Sequence, residues 1–112
     1  MEMTKEKRGP IVILEVKGRL DASTSNKLEE SLLASIDAGE KQFAIDFSRL
    51  DYISSAGLRV LLLAMKKLTN AHGKLVLCSL QEQIKEVFDI AGFSTLFPLF
   101  TSQEEALNSF NQ

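Results

Sequence analysis

The stretch FAIDFSRLDYISSAGLRVLLLAMKKL, residues 43–68, decides the fold class of this chain. It opens with Phe43 to Phe47, an apolar segment of β-forming residues, which predicts a strand. Apolar residues at helical spacing follow and predict an amphipathic helix; they are Leu58, Leu61, Leu62, Met65 and Leu68. A strand that leads directly into a helix is the repeating unit of a parallel α/β sheet.

The same unit precedes this stretch. The β-branched run Ile11 to Val16 predicts a strand, and Leu28, Leu32 and Ile36 predict an amphipathic helix that ends at Gly39. The unit also follows the stretch. Residues 74–80 predict a third strand, and a third helix is marked by Ile84, Val87, Phe88 and Ala91 and ended by Gly92.

Two helix boundaries can be assigned from capping residues. Asn26 and Glu29 have the spacing of a capping box at the start of the first helix, and Thr24 and Ser25 fit the N-cap position equally well. At the end of the second helix, Gly73 is predicted to be the left-handed cap.

The two ends of the chain complete the pattern. Glu2 to Arg8 and the turn Gly9-Pro10 predict an edge hairpin, Thr95 to Phe100 predicts a short strand, and Ser102 to Phe110 predicts a last helix. The predicted order is β β α β α β α β α. This is a single α/β domain over residues 1–112, with a mostly parallel sheet of about four to five strands and about four helices.

Such a sheet places its functional sites beyond the carboxyl ends of the strands, and its crossovers are right-handed. Two segments are predicted to lie there, Arg19 to Ser25 and Ser48 to Gly57.

Composition excludes several classes of protein. The chain has 112 residues, 45% hydrophobic and 25% charged, as in ordinary globular domains, and a net charge of −2 makes nucleic acid and anionic membranes poor partners.

The single cysteine, Cys78, lies in an apolar run and is interpreted as a small buried strand residue. Met1 to Arg8 has no apolar core like that of a signal peptide, and we expect a cytoplasmic protein.

The start of the second helix is the densest candidate site. Ser54 and Ser55 stand where the helix begins, and the small residues Ala56 and Gly57 would let a partner approach the backbone closely. A phosphate added to a serine there would meet unpaired N–H groups and the positive end of the helix dipole. Arg59 lies over the same helix face and could pair with that phosphate. The competing interpretation is that both serines are only helix caps.

Catalytic alternatives lack the groups they need. His72, the only histidine, is predicted near the far end of the helix that Ser55 begins, which leaves no base for a serine hydrolase. No phosphate-binding glycine loop occurs, and the sequence has no His or Cys cluster. A receiver domain phosphorylated on Asp46 would need an acidic pair after the first strand, where only Asp21 is found. We expect neither catalysis, nor a cofactor, nor a metal.

Taken in order, these segments resemble a known family. They are Gly18 to Asp21, Ala44 to Ser48, Tyr52 to Arg59, Ala91 to Phe93, Leu96 to Phe100 and Glu104 to Ala106. Together they resemble the STAS domain, in the free-standing form of bacterial anti-sigma factor antagonists, over essentially the whole chain.

The resemblance implies a partner and a switch. Members of the family bind an anti-sigma factor that is also a serine kinase, and this binding releases the sigma factor. The kinase phosphorylates a serine at the start of the second helix and so inactivates the antagonist. A PP2C-type phosphatase removes the phosphate and restores the antagonist. Alignment on Gly57 and Leu58 assigns the phosphorylated position to Ser55, with Ser54 as second choice. Ser54 stands where the family motif carries aspartate. Asp21 matches an aspartate of the family that helps contact the kinase.

The expected mechanism is electrostatic. A phosphate adds about −1.5 to −2 charges, and Asp21, Asp46 and Asp51 are predicted to lie at the same end of the domain. Binding would be lost by repulsion and by a blocked docking surface, without refolding.

The rival function is a soluble STAS-like subunit of a lipid- or anion-transport complex that binds constitutively.

For Phe93, Phe97 and Phe100, a place in the core is favoured over an apolar surface patch.

Overall fold

A computed structural model describes residues 1–111 and contains a five-stranded sheet. The elements are β1 Glu2–Arg8, β2 Ile11–Leu20, α1 Ser25–Asp37, β3 Gln42–Ile53, α2 Ser55–Asn70, β4 Lys74–Cys78, α3 Glu82–Ile90, β5 Leu99–Phe100 and α4 Gln103–Asn108. Two short 3₁₀ helices, Phe93–Thr95 and Ser109–Asn111, lie before β5 and after α4. The predicted element order and α/β class are confirmed.

The sheet order equals the sequence order, β1-β2-β3-β4-β5, with β1 antiparallel to β2 and every other pair parallel. When each crossover is right-handed and moves one strand further in the same direction, the crossover helices stack on one face. The main core lies between that face and α1, α2 and α3. It includes Val12 and Leu14 of β2 together with Leu28, Leu61 and Phe88 from the three helices.

The opposite face of the sheet carries a smaller core under α4. Ile11 and Ile13 of β2 pack there with Ala106 of α4 and with the sulfhydryl-bearing Cys78. Burial, with the nearby Asp46 carboxylate, raises the pKa of Cys78 to about 11, so the thiol stays protonated at neutral pH. The interpretation of Cys78 as a buried strand residue is confirmed.

Strand β3 is longer than predicted, running from Gln42 to Ile53 rather than from Phe43 to Phe47. Its second half reads as a loop in sequence because it is polar, but backbone partners hold it extended. On one side it pairs with the end of β2. On the other side, where β4 has already ended, the Gln81 amide donates hydrogen bonds to the carbonyls of Ser48 and Leu50, at 3.1 and 2.8 Å.

The structure corrects two predictions about helix ends, the N-cap of α1 and the left-handed residue after α2. Thr24 is the N-cap of α1, so the capping box of Asn26 and Glu29 is wrong. Gly73 is not the left-handed residue after α2; His72 takes that conformation, with φ of 60°. Gly73 is needed instead for close packing, because a Cβ there would lie 2.5 Å from the carbonyl oxygen of Lys41.

The segment after α3 is less regular than predicted. Only Leu99–Phe100 of the expected strand Thr95–Phe100 pairs with β4. The preceding 3₁₀ helix lets Phe93 and Phe97 pack their rings against Phe88, with centroids 6.2 and 6.3 Å away. Phe97 is buried, and Phe93 is half-buried at the core edge, which confirms the core interpretation for these two rings.

The last elements also differ slightly in length. Strand β4 ends at Cys78 rather than Leu80 because Ser79 adopts a positive φ of 61°. Ser102 is the N-cap of α4, and its hydroxyl accepts a hydrogen bond from the backbone N–H of Glu105 at 3.1 Å. Phe100 is half-buried against the smaller core.

Candidate functional site

The loop after β2 and the start of α2 meet at the carboxyl end of the sheet. Strands β2 and β3 are parallel, with Leu20 opposite Ile53. The backbone N–H of Ser54 then donates a hydrogen bond to the carbonyl of Leu20 at 2.8 Å. This bond joins the segment that carries Asp21 to the segment that carries Ser55, as the parallel sheet predicts.

The two serines have different environments. Ser54 is the half-buried N-cap of α2, and its hydroxyl accepts a long hydrogen bond, 3.4 Å, from the N–H of Gly57. Ser55 is the first residue of the helix and is exposed. The N–H groups of the first helical turn have no carbonyl within the helix to donate to. An anion on Ser55 would therefore meet free donors and the positive end of a 16-residue helix.

Gly57 is required for close internal packing at the start of α2. It is buried, and a Cβ at this position would lie 2.8 Å from Cγ1 of Ile53 and 3.1 Å from Cβ of Leu20. The small residue lets α2 begin close against the ends of β2 and β3. That Gly57 also contacts a partner stays a prediction. Ala56 is half-buried and keeps part of its surface open.

Arg59 is exposed one turn beyond Ser55 on α2. Residues four apart lie on the same helix face, which leaves Arg59 within reach of an anion on Ser55. It also lines a shallow groove of about 140 Å³ between α1 and α2, together with Glu29, Val60 and Leu63.

Asp21 organises the loop that leads into α1. Its Oδ1 accepts hydrogen bonds from the Ser23 hydroxyl at 2.8 Å and from the backbone N–H groups of Ser23 and Thr24, both at 3.0 Å. The Ser23 hydroxyl and the other donors from Ser23 and Thr24 lower the pKa of Asp21 from 3.8 to about 2. Asp21 is therefore a charged residue at the site and also the residue that shapes its loop.

We expect Ser23→Ala to raise the pKa of Asp21 towards its ordinary value, because the Ser23 hydroxyl lowers that pKa more than any other group. The pKa is lower in the folded chain, so this carboxylate stabilises the fold above the unfolded pKa of about 4 and stops doing so as the pH falls through about 2. Carbon-detected NMR titration of the carboxyl group measures the shift. Ser102→Ala, at a distant helix cap, is the control and should leave the Asp21 titration unchanged.

Asp46 does not belong to this site. It lies in the first half of β3, and the seven residues to Ile53 span roughly 20 Å of extended strand. Its carboxylate is almost buried and accepts hydrogen bonds from Gln103 of α4 at 2.9 Å and from the N–H of Ser48 at 2.8 Å. The expectation that Asp46 lies at the same end of the domain as Asp21 is wrong, because β3 continues past Phe47 and Asp46 pairs with Glu15 of β2. Asp51 is exposed in the last part of β3.

The arrangement offers little for catalysis. His72 follows the far end of α2, a helix of 16 residues that is about 24 Å long, so it cannot serve as a base for Ser55. Within residues 1–111, no three His, Cys, Asp or Glu side chains are grouped in a way that could hold a metal ion. In the same part of the chain, no helix has the length and apolar character needed to cross a membrane.

Sequence reasoning missed one pair of residues at this edge. The guanidinium of Arg19 lies over the ring of Tyr52, with Cζ 4.2 Å from the ring centroid. The two residues are opposite each other in the register of β2 and β3. The pairing depends on the extension of β3, because the sequence pattern ends that strand at Phe47 and leaves Tyr52 in a loop.

The fold and this site bring an exposed serine and a charged loop together at the carboxyl edge of a small α/β sheet. A sequence model described as the STAS domain matches residues 2–106. The chain therefore belongs to the STAS domain family.

Individual relatives agree with this assignment. The chain is 43% identical over 110 residues to BtrV of Bordetella bronchiseptica, named as an anti-sigma factor antagonist, covering 98% of this chain and 95% of that protein. An anti-sigma factor antagonist of Thermotoga maritima has the same fold, with a TM-score of 0.94 at 16% identity over 98% of this chain and 95% of that one. SpoIIAA of Bacillus in its phosphorylated form has a TM-score of 0.79 at 21% identity, covering 97% and 99%.

Proposed function

We propose that this chain is an anti-sigma factor antagonist of the bacterial cytoplasm. It binds an anti-sigma factor that is also a serine kinase, and this binding releases a sigma factor. The kinase phosphorylates Ser55, which ends binding, and a PP2C-type phosphatase removes the phosphate. The protein works by binding and carries out no reaction of its own.

One observation carries the proposal, the exposed Ser55 at the first position of α2. A kinase needs access to the hydroxyl, and Ser55 has it. Ser54 is less suited because it is half-buried and its hydroxyl caps the helix. The name of the relative at 43% identity supports the antagonist function, and a phosphorylated form is named for the Bacillus protein that shares the fold.

The effect of phosphorylation follows from charge. A phosphate adds about −1.5 to −2 charges at neutral pH, at the edge of the sheet that also carries Asp21 and Asp51. The helix start accommodates the anion through free N–H groups, and Arg59 lies one turn away. The fold therefore stays unchanged while the docking surface becomes strongly negative. Like charges brought together at an interface cost several kcal/mol, which corresponds to about 100-fold or more in affinity.

Affinity capture from a lysate of the native host with ATP tests the proposal. The baits are the wild type, Ser55→Ala and Ser55→Asp, and mass spectrometry identifies bound proteins and phosphorylated serines. We expect an ATP-binding serine kinase on the wild type and on Ser55→Ala but not on Ser55→Asp, with phosphate on wild-type Ser55. Ser102→Asp is the matched control, because it adds the same charge at the N-cap of α4 and should still capture the kinase.

The other outcomes discriminate among the alternatives. Phosphate on Ser54 would keep the function and move the site by one residue. If every bait captures the same transport subunits and no phosphate is found, the chain is a constitutive binding module and the sigma-factor function is wrong. Circular dichroism of the phosphorylated chain should match that of the unmodified chain, and a gross change would contradict the electrostatic mechanism.

A further inference from the structure

The carboxyl edge of the sheet carries a second exposed feature beside Ser55, the stacked side chains of Arg19 and Tyr52. Arg19 is exposed, and Tyr52 keeps 40% of its surface open, which makes it one of the few large exposed apolar side chains. The guanidinium lies 4.2 Å from the ring centroid, within the range of a cation–π contact. Arg and Tyr are the residue types most enriched at the energetic centres of protein interfaces, together with Trp.

The charge of Arg19 is held in place without being neutralised. In the described part of the chain, the salt bridges are made by Lys7, Arg8, Lys17, Lys67 and Lys85, and Arg19 is not among the cations. Stacking uses a flat face of the guanidinium and leaves its edge, with the N–H donors, available for a carboxylate. A side chain that is already ordered loses less entropy on binding.

The pair is continuous with the serine site. Arg19 directly precedes Leu20, whose carbonyl binds the N–H of Ser54. The carbonyl of Arg19 itself accepts a hydrogen bond from the Thr24 hydroxyl at 2.7 Å, in the loop that Asp21 shapes. Arg19 lies two residues before Asp21 and Tyr52 lies three residues before Ser55, so the pair and the serine site share the carboxyl edge of the sheet.

We propose that Arg19 and Tyr52 form a docking anchor for the anti-sigma factor, in which a carboxylate of the partner binds the edge of the Arg19 guanidinium against the Tyr52 ring. This inference rests on the proposed function and adds a named contact to it. It also gives the two charges at this edge opposite functions. Arg19 attracts the partner, whereas the phosphate on Ser55 repels it.

The test uses the serine kinase eluted from the Ser55→Ala column as the probe. Its affinity is measured for chains with Ser55→Ala alone and with Tyr52→Ala, Arg19→Ala or Arg19→Glu added. We expect Tyr52→Ala and Arg19→Ala to weaken binding by about 30-fold, the effect of a hot-spot residue, and Arg19→Glu to weaken it further. Ile90→Ala removes a side chain that is 89% exposed on α3 and should leave the affinity unchanged.

A second measurement keeps both anchor side chains and adds one fluorine atom to the Tyr52 ring. The chain has one tyrosine and no tryptophan, so incorporation of 3-fluorotyrosine gives a single ¹⁹F resonance, that of residue 52. Addition of the kinase should shift or broaden this resonance in the Ser55→Ala chain. Ser55→Asp should abolish the change.

The outcomes separate the anchor from the function it rests on. If the kinase binds the Tyr52→Ala and Arg19→Ala chains as tightly as the parent and leaves the ¹⁹F resonance unmoved, the anchor is wrong and the antagonist function stands. If the Ser55→Ala column retains no kinase, the proposed function and the anchor both fail.

Discussion

Phe88→Ala is expected to lower the free energy of unfolding by about 3–5 kcal/mol, the usual cost of removing a buried phenylalanine ring. Phe88 lies on α3 with none of its surface exposed. Its ring makes edge contacts with Phe93 and Phe97, at centroid distances of 6.2 and 6.3 Å. The substitution therefore leaves a cavity and also removes the support of the segment that leads into β5.

Equilibrium unfolding in urea, followed by circular dichroism, measures this loss. Ile90→Ala is the matched control, because Ile90 lies two residues further along α3 and is 89% exposed. A substitution at such a surface position changes stability by about 0.5 kcal/mol or less. Equal effects at the two positions would contradict the burial pattern of α3 and the packing of the aromatic cluster.

Gly73→Ala is expected to lower the free energy of unfolding by about 1–3 kcal/mol, the range for adding a methyl group to a filled space. The new Cβ would lie 2.5 Å from the carbonyl oxygen of Lys41 and 2.8 Å from Cδ2 of Leu68. The Lys41 carbonyl cannot move away freely, since it accepts a hydrogen bond of 2.7 Å from the N–H of Lys74 at the start of β4.

His72→Gly is the matched control in the same turn. His72 has a positive φ of 60°, a conformation that is costly for a residue with a side chain, so glycine relieves strain there. The gain is offset by the greater freedom of glycine in the unfolded chain, and the net change should stay within about 1 kcal/mol. Thermal or chemical unfolding of both variants tests the pair. If Gly73→Ala is tolerated while His72→Gly is strongly destabilising, the packing account of Gly73 is wrong.

Element types could be predicted from the sequence wherever burial follows a strong period. The run Ile11 to Val16 and the stripes of α1, α2 and α3 gave the strands, the helices and their order, because each needs one apolar face or core to exist at all. The position of Ser54 and Ser55 at the start of a helix was also predictable from the sequence, because it depends only on local hydrogen bonding at the first turn.

Boundaries and residue functions were harder because they depend on partners distant in sequence. The second half of β3 is polar and becomes a strand only through β2 and the Gln81 amide. That extension carries Asp46 away from the site and brings Tyr52 opposite Arg19. Neither the position of Asp46 nor the contact of Tyr52 with Arg19 can be predicted from the local sequence pattern.

The sequence by itself determined the class of the fold, the order of its elements and the serine at the start of α2, since periodicity and capping act over a few neighbouring residues. Only the tertiary structure decided what Gly57 and Gly73 do, where Asp46 lies and which side chain stacks on Tyr52. These depend on the distance between backbones that are far apart in the chain. That distance is set by the packing of the whole sheet against its helices.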